Sequence, residues 1–445
     1  VTAPTDEVAD TLAENTSAAM PAVEPPEGRH GAPADPAPPG RPGAASAWWR
    51  YGFPAALAAC ILAIPILVVS GARVVLDSRE GREIVTVTDP AAPGWEATVD
   101  PTPVMAVAVE GDGGALDHLA VLTLTSDGNG AVIVLPPTTL MPVPGAGTMP
   151  FDAVYQLRGA NEVRDGLAAI LAVGVPEIRV IRPGEWIDLT SPVSPLTVTN
   201  TDPVTAPSGS SVGQVIFPRG AIDVPASQVW TYIGTKSPGE NELSRMVRTG
   251  AFWRAWIQAI AAKRDLEGVV PGEVDSGLGR FLRGLAEKQV VVATLPVVRF
   301  LMPDGSGEVF DPIREEVPSF VSQYVPFPAG PEGRRVRLRV LDGTGRLGHG
   351  LAAARLLAAS GGQIDKVGNA STFDVETTTI TYYDEALRGG VEALRDALGV
   401  GEVVKSDALN VAVDATVVLG ADYAAGQGAD PPGGTTMRPP GSGGG

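Results

Sequence analysis

Cysteine is almost missing from this chain. The one thiol, Cys60, sits inside an apolar run, so no disulfide can close within the chain and no cysteine-based metal site can form. Histidine is nearly as scarce. His30, His118 and His349 lie far apart in sequence, which gives no support to a histidine-cluster metal site. Positive charge is also short: 33 Lys and Arg stand against 51 Asp and Glu, for a net charge of −18. Nucleic-acid binding runs on phosphate neutralisation by a basic surface, so this balance argues against a general nucleic-acid partner.

What the chain has instead is one long uncharged stretch. Tyr51 to Ala72 carries no charge between Arg50 and Arg73. At a helical rise of about 1.5 Å per residue it reaches roughly 30 Å, the thickness of a bilayer's hydrocarbon core. Trp48, Trp49 and Tyr51 stand at its leading edge, where amphipathic rings favour the headgroup boundary. Pro54 and Pro65 disfavour a soluble core helix but are tolerated in a membrane one. Residues 47–73 are therefore expected to be a single transmembrane helix. Arg41 and Arg50 before it and Arg73, Arg79 and Arg82 after it leave orientation undecided by charge. With the short tail cytoplasmic, the large C-terminal part would be extracytoplasmic.

Composition divides the rest. Residues 1–46, rich in Pro, Ala and Gly, read as a disordered tail, and 74–103 as a charged, proline-broken connector. Val104–Val109, Leu119–Thr125 and Ala131–Leu135 are apolar, strand-like runs, with the turn Ser126–Gly130 between the last two. Val163, Leu167, Ile170 and Leu171 recur at helical spacing, and Ile178–Ile181 returns to strand. Alternation of this kind predicts a layered α/β domain over 104–265. An extension and linker, 266–333, holds a short helix at 278–287, an apolar run at 290–300 broken by Pro296, and an amphipathic stretch at 310–325. The final domain, 334–423, predicts β-α-β-β-α-β: Arg335–Leu341, 351–360, 363–367, 377–383, 386–398 and 411–420. Residues 424–445 read as a flexible Gly/Pro tail.

Two resemblances follow from these elements. The strand-turn-strand and the segment Met149–Tyr155, then Val229–Ile233 and a helix from Glu242 to Ala262, resemble the LytR-CpsA-Psr family over roughly residues 104–265. Those are membrane-anchored bacterial enzymes that move glycopolymers from a polyprenyl-pyrophosphate carrier to the cell wall. At the other end, Val340–Gly345 and Val418–Tyr423 resemble the LytR C-terminal domain, a module that often follows such a domain in actinobacterial proteins.

The resemblance implies a site that handles a pyrophosphate, where arginine forks and Mg²⁺ offset the charge on the leaving group. In this chain the family's Ile-Pro-Arg-Asp-Thr signature reads Leu135-Pro136-Pro137-Thr138-Thr139. The arginines that follow the family's tyrosine fall on Gly234 and Lys236. Asp117 stands where the family places a metal-binding acid, and Arg245 and Arg248 match the arginines of its late helix. That makes Lys236, Arg245 and Arg248 the candidate phosphate-binding residues and Asp117 the candidate Mg²⁺ ligand. The plainer alternatives are a Glu242–Arg245 pair on a helix surface and a turn-closing acid near Gly113–Gly114.

The apolar stripe Leu243, Val247, Phe252, Trp253, Trp256, Ile257, Ile260 either lines a lipid-accepting tunnel or is core. The Gly-rich turn 343–348 either cradles a phosphate or simply turns into a helix. The expected partner is a polyprenyl-phosphate-linked glycopolymer or peptidoglycan. With so many cations lost, the expected function is binding with little or no turnover. A working glycopolymer-peptidoglycan phosphotransferase and a non-catalytic docking module for wall-synthesis partners are the alternatives.

Overall fold

The computed structural model describes residues 87–426, apart from 127, 208, 210–211, 303–306, 331–333, 409 and 411. The stretch expected to span a membrane, the tail before it and most of the C-terminal tail lie outside the described residues. Among the described residues no helix is long and apolar enough to cross a membrane.

Strand β1 (Glu96–Thr98) comes first, then β2 (Val104–Glu110), β3 (Leu116–Leu124) and β4 (Asn129–Leu135). A short hairpin follows, β5 (Leu140–Val143) and β6 (Gly147–Pro150), then helices α1 (Phe151–Arg158) and α2 (Ala160–Leu171). After β7 (Ile178–Ile181) and α3 (Glu185–Thr190) come β8 (Leu196–Asn200), β9 (Val204–Thr205), β10 (Val215–Phe217) and β11 (Gly220–Val224). Helices α4 (Val229–Gly234), α5 (Glu242–Ala261) and α6 (Gly277–Ala286) lead to β12 (Gln289–Thr294).

The middle sheet has the order β12-β4-β3-β2-β7. Strands β2, β3 and β4 form an antiparallel meander, while β7 joins β2 and β12 joins β4 in parallel. Val104 to Val109 are all buried, because both faces of the sheet are covered. Met105, Val107 and Val109 face a core closed by α5, α6 and the β8/β11 hairpin. Val104, Ala106 and Ala108 face a second core with α1 and α2. A side-chain period of two thus splits one apolar run between two cores. Residues 266–333 are less separate than their sequence suggests: α6 and β12 complete the middle domain, and Phe310 to Val325 divides into a strand and a helix. These are β14 (Glu308–Pro312), paired with β13 (Val297–Leu301), and α7 (Val317–Tyr324).

The C-terminal sheet has six strands. Its members are β15 (Val336–Asp342), β16 (Gly362–Asn369), β17 (Thr379–Tyr382), β18 (Glu402–Lys405) and β19 (Ala415–Leu419), with β1 on the edge of β16. Helices α8 (His349–Ala359) and α9 (Arg388–Leu398) pack on it. Two of these strands depart from the sequence reading. Strand β18 was not expected, since Glu402–Lys405 is short, polar at both ends and mostly exposed. Strand β1 comes from the connector, and the Arg339–Glu96 ion pair ties it down. A short helix, Ala421–Gly426, also extends into the first residues of the expected tail.

Candidate functional site

The site is built where β3 starts. The β2/β3 register steps from Val109 opposite His118 to Glu110 opposite Leu116, so Asp117 is an extra, unpaired residue. Such a bulge re-aims side chains. It brings Asp117 and His118 together toward α5, with Asp117 Oδ2 3.0 Å from His118 Nε2.

Helix α5 supplies the cations. Asn241 caps it by accepting from the Ser244 N–H at 2.8 Å, which sets Arg245 about one turn inside and Arg248 about two. Both arginines are only 4% exposed. Arg245 donates from Nη1 to Asp117 Oδ1 at 3.0 Å and from Nη2 to the Asp117 carbonyl at 2.6 Å, and Glu242 Oε1 lies 3.3 Å from Nη2. Arg248 donates to Glu240 Oε1 at 2.5 Å and to the Thr235 carbonyl. Three carboxylates therefore face two guanidiniums. The expected surface Glu242–Arg245 contact exists, but as a buried pair within a larger network.

His118 completes the cluster. Its Nε2 lies 3.0 Å from the Ile233 carbonyl, and Thr249 Oγ1, which donates to the Arg245 carbonyl, is 3.3 Å from Nδ1. Asp117 Oδ2 lies close to Nε2 but not in the geometry of a directed hydrogen bond to a described residue. Burial pushes the Asp117 carboxyl up, but His118 and Arg245 more than offset it and hold it at about 2. Burial alone would pull the Arg245 guanidinium down; Glu242 and Asp117 reverse this and raise it.

A stability prediction follows. Because the folded-state value of Asp117 lies below the ordinary 3.8, its contribution is present above about pH 4 and lost as pH falls toward about 2. The depression corresponds to about 2 kcal/mol. Acid denaturation of Asp117→Asn should therefore start from lower stability at pH 5 and converge on the parent near pH 2.

The other sequence candidates lie differently. Lys236 is exposed and makes no ion pair with a described residue. A side chain at Gly234 would start 2.7 Å from the indole of Trp230, so this position has no room for one as the helix stands. Pro137 and Thr139 spend their carbonyls on the N–H groups of Asp152 and Phe151 at the start of α1. The apolar stripe is core over most of its length: Phe252, Trp253, Trp256, Ile257 and Ile260 are at most 2% exposed. Trp186, Phe252 and Trp256 pack with ring centroids 5.3 to 5.7 Å apart. Leu243 and Val247, at the start of the stripe, are exposed.

Mg²⁺ demands a near-octahedral set of oxygens. Asp117 offers one carboxylate, already engaged by Arg245, and among the described residues no three His, Cys, Asp or Glu side chains are placed to hold one metal ion. As folded, this donor set does not suit Mg²⁺, and a second cation there would meet the Arg245 guanidinium.

Beside the cluster lies an open depression of about 280 Å³ lined by Asp202, Thr205, Ser237, Glu240, Asn241 and Ser244 together with prolines and a glycine. Its polar groups are hydroxyls, an amide and carboxylates. Among the described residues no lysine or arginine lines it.

Residues 335–423 match the family described as LytR cell envelope-related transcriptional attenuator. They form a LytR C-terminal domain. Within it the Gly-rich turn is closed internally. Asp342 Oδ1 accepts from the Thr344 N–H at 2.8 Å and its hydroxyl at 2.7 Å, while Gly345 and Gly348 take φ of +68° and +89°. An acid thus sits where a phosphate cradle would need to be free.

No curated protein sequence matches the chain. Among solved structures, B. subtilis TagT is 14% identical with a TM-score of 0.40, covering 54% of this chain and 93% of that one. TagV from the same organism is 13% identical with a TM-score of 0.40, covering 50% and 97%. The LytR-CPS2A-psr family protein YwtF (TagT) with bound octaprenyl pyrophosphate lipid is 14% identical with a TM-score of 0.39, covering 54% and 94%. At such identities the function of the middle domain rests on its own residues.

Proposed function

We propose that this chain is a membrane-anchored, extracytoplasmic protein of cell-envelope assembly that binds a wall or polyprenyl-linked glycopolymer without turning it over. One observation carries the reading. Arg245 and Arg248, the cations a pyrophosphate would need, are buried and already matched by Asp117, Glu240 and Glu242. A pyrophosphate brought to this cluster would meet an excess of carboxylates. Its transition state would lack preorganised positive charge, where even one missing donor costs about 3 to 4 kcal/mol.

The neighbouring depression supplies a different chemistry. Hydroxyl, amide and carboxylate groups without cations suit the hydroxyls of a saccharide or polyol. The LytR C-terminal domain and the expected anchor at 47–73 support placement at the envelope. Titration of the full chain in nanodiscs with purified wall glycopolymer fragments tests this. Saturable binding should weaken about tenfold in Asp202→Ala with Ser244→Ala. Binding untouched by that variant would defeat the reading.

A further inference from the structure

A second cavity, of about 410 Å³, opens on the far side of the middle domain, where α2, β5 and α7 meet α8 of the LytR C-terminal domain. Its size falls within the roughly 300 to 1,000 Å³ of small-molecule sites. Val317, Val321 and Ala169 contribute apolar walls, and the charged groups among the described lining residues are Arg335, Arg314 and Asp311.

Arg335 is the unusual member. Its Nε and Nη2 donate to the Ala172 carbonyl at 2.9 and 2.7 Å, and its Nη1 to the carbonyls of Ala358 and Gly362, both at 2.8 Å. Among the described residues no carboxylate pairs with it. The Ala172 and Ala358 carbonyls lie at the C-terminal ends of α2 and α8, whose dipoles favour a cation, and Gly362 opens β16; together they leave a full charge and one Nη2 hydrogen to be met. Ala172 is also the only described non-glycine residue with positive φ, at +52°, so the carbonyl it offers is held in a strained turn. Burial pulls the guanidinium down to about 10, still charged at neutral pH.

We propose that this interdomain cavity binds an amphipathic anion: a short hydrocarbon chain lying against Val317, Val321 and Ala169, with a phosphate or carboxylate facing Arg335 and Arg314. The apolar walls account for the chain, and the uncompensated guanidinium for the head group. Among the described lining residues, two arginines against one aspartate give the cavity the cationic character that the Asp117 cluster has neutralised. The inference stands apart from the glycopolymer reading, since the two sites share no residue.

Calorimetric titration of the full chain in nanodiscs with n-hexyl phosphate, inorganic phosphate and n-hexanol separates the contributions. Hexyl phosphate should bind saturably, and both other probes at least about tenfold more weakly. Ser322→Trp and Ala169→Leu, each filling the cavity from a half-buried wall position, should abolish hexyl phosphate binding while the circular dichroism and melting transition persist. Arg314→Gln should weaken hexyl phosphate and leave hexanol unchanged. Inorganic phosphate binding as tightly as hexyl phosphate would overturn the proposal. So would hexyl phosphate binding that survives both filled variants, or no saturable signal in the parent.

Discussion

Arg245→Met should destabilise the fold by about 3 to 5 kcal/mol, read as a lower denaturation midpoint at unchanged slope. The side chain is buried, and its removal strands the Asp117 and Glu242 carboxylates in the interior without the guanidinium they face. The compensated variant Arg245→Met with Asp117→Asn and Glu242→Gln should recover much of the loss, because a neutral buried group costs far less than an unpaired charge. Arginines kept for a ligand behave otherwise. Such cations repel one another in the empty site, and removing one leaves stability unchanged or improved. The sign of the Arg245→Met effect therefore distinguishes a structural ion network from a vacant phosphate grip.

Trp256→Ala should cost about 3 to 5 kcal/mol as well, for a different reason. Trp256 is fully buried, and its ring centroid lies 5.4 to 5.7 Å from those of Trp186, Phe252 and Trp253. Truncation leaves a cavity that neighbours held by the sheet behind them cannot fill. Trp256→Phe should recover most of the stability, since it keeps a ring and removes an indole N–H that has no partner among the described residues. If the stripe lined an open lipid tunnel, truncation would only widen it, with a small effect on the denaturation midpoint.

Much of the fold was legible because it rests on periodicity. Val104–Glu110 and Val336–Asp342 announce a doubly covered strand and an alternating one, and both form. Strands held by pairing alone carry no such pattern, as Glu96–Thr98 and Glu402–Lys405 show. In the candidate site, the arginines and Asp117 could be named from the family resemblance, but not their mutual neutralisation. That depends on the bulge at Asp117, which appears only in the β2/β3 register, and on Glu240, eight residues from its partner Arg248 across a turn. Nothing local in the sequence marks His118 as a site residue, for the same reason. Asn241 is a residue type favoured at helix starts, and a helix begun there places Glu240 close before the turns that carry Arg245 and Arg248.

The most direct measurement is Mg²⁺-dependent phosphate release from a prenyl pyrophosphate by the full chain in nanodiscs, beside the Arg245→Met and Arg248→Met variants. With both guanidiniums spent on internal carboxylates, the parent should release phosphate no faster than protein-free nanodiscs, and the variants should not differ from it. Turnover well above that background, lost in either variant while its fold persists, would contradict the account.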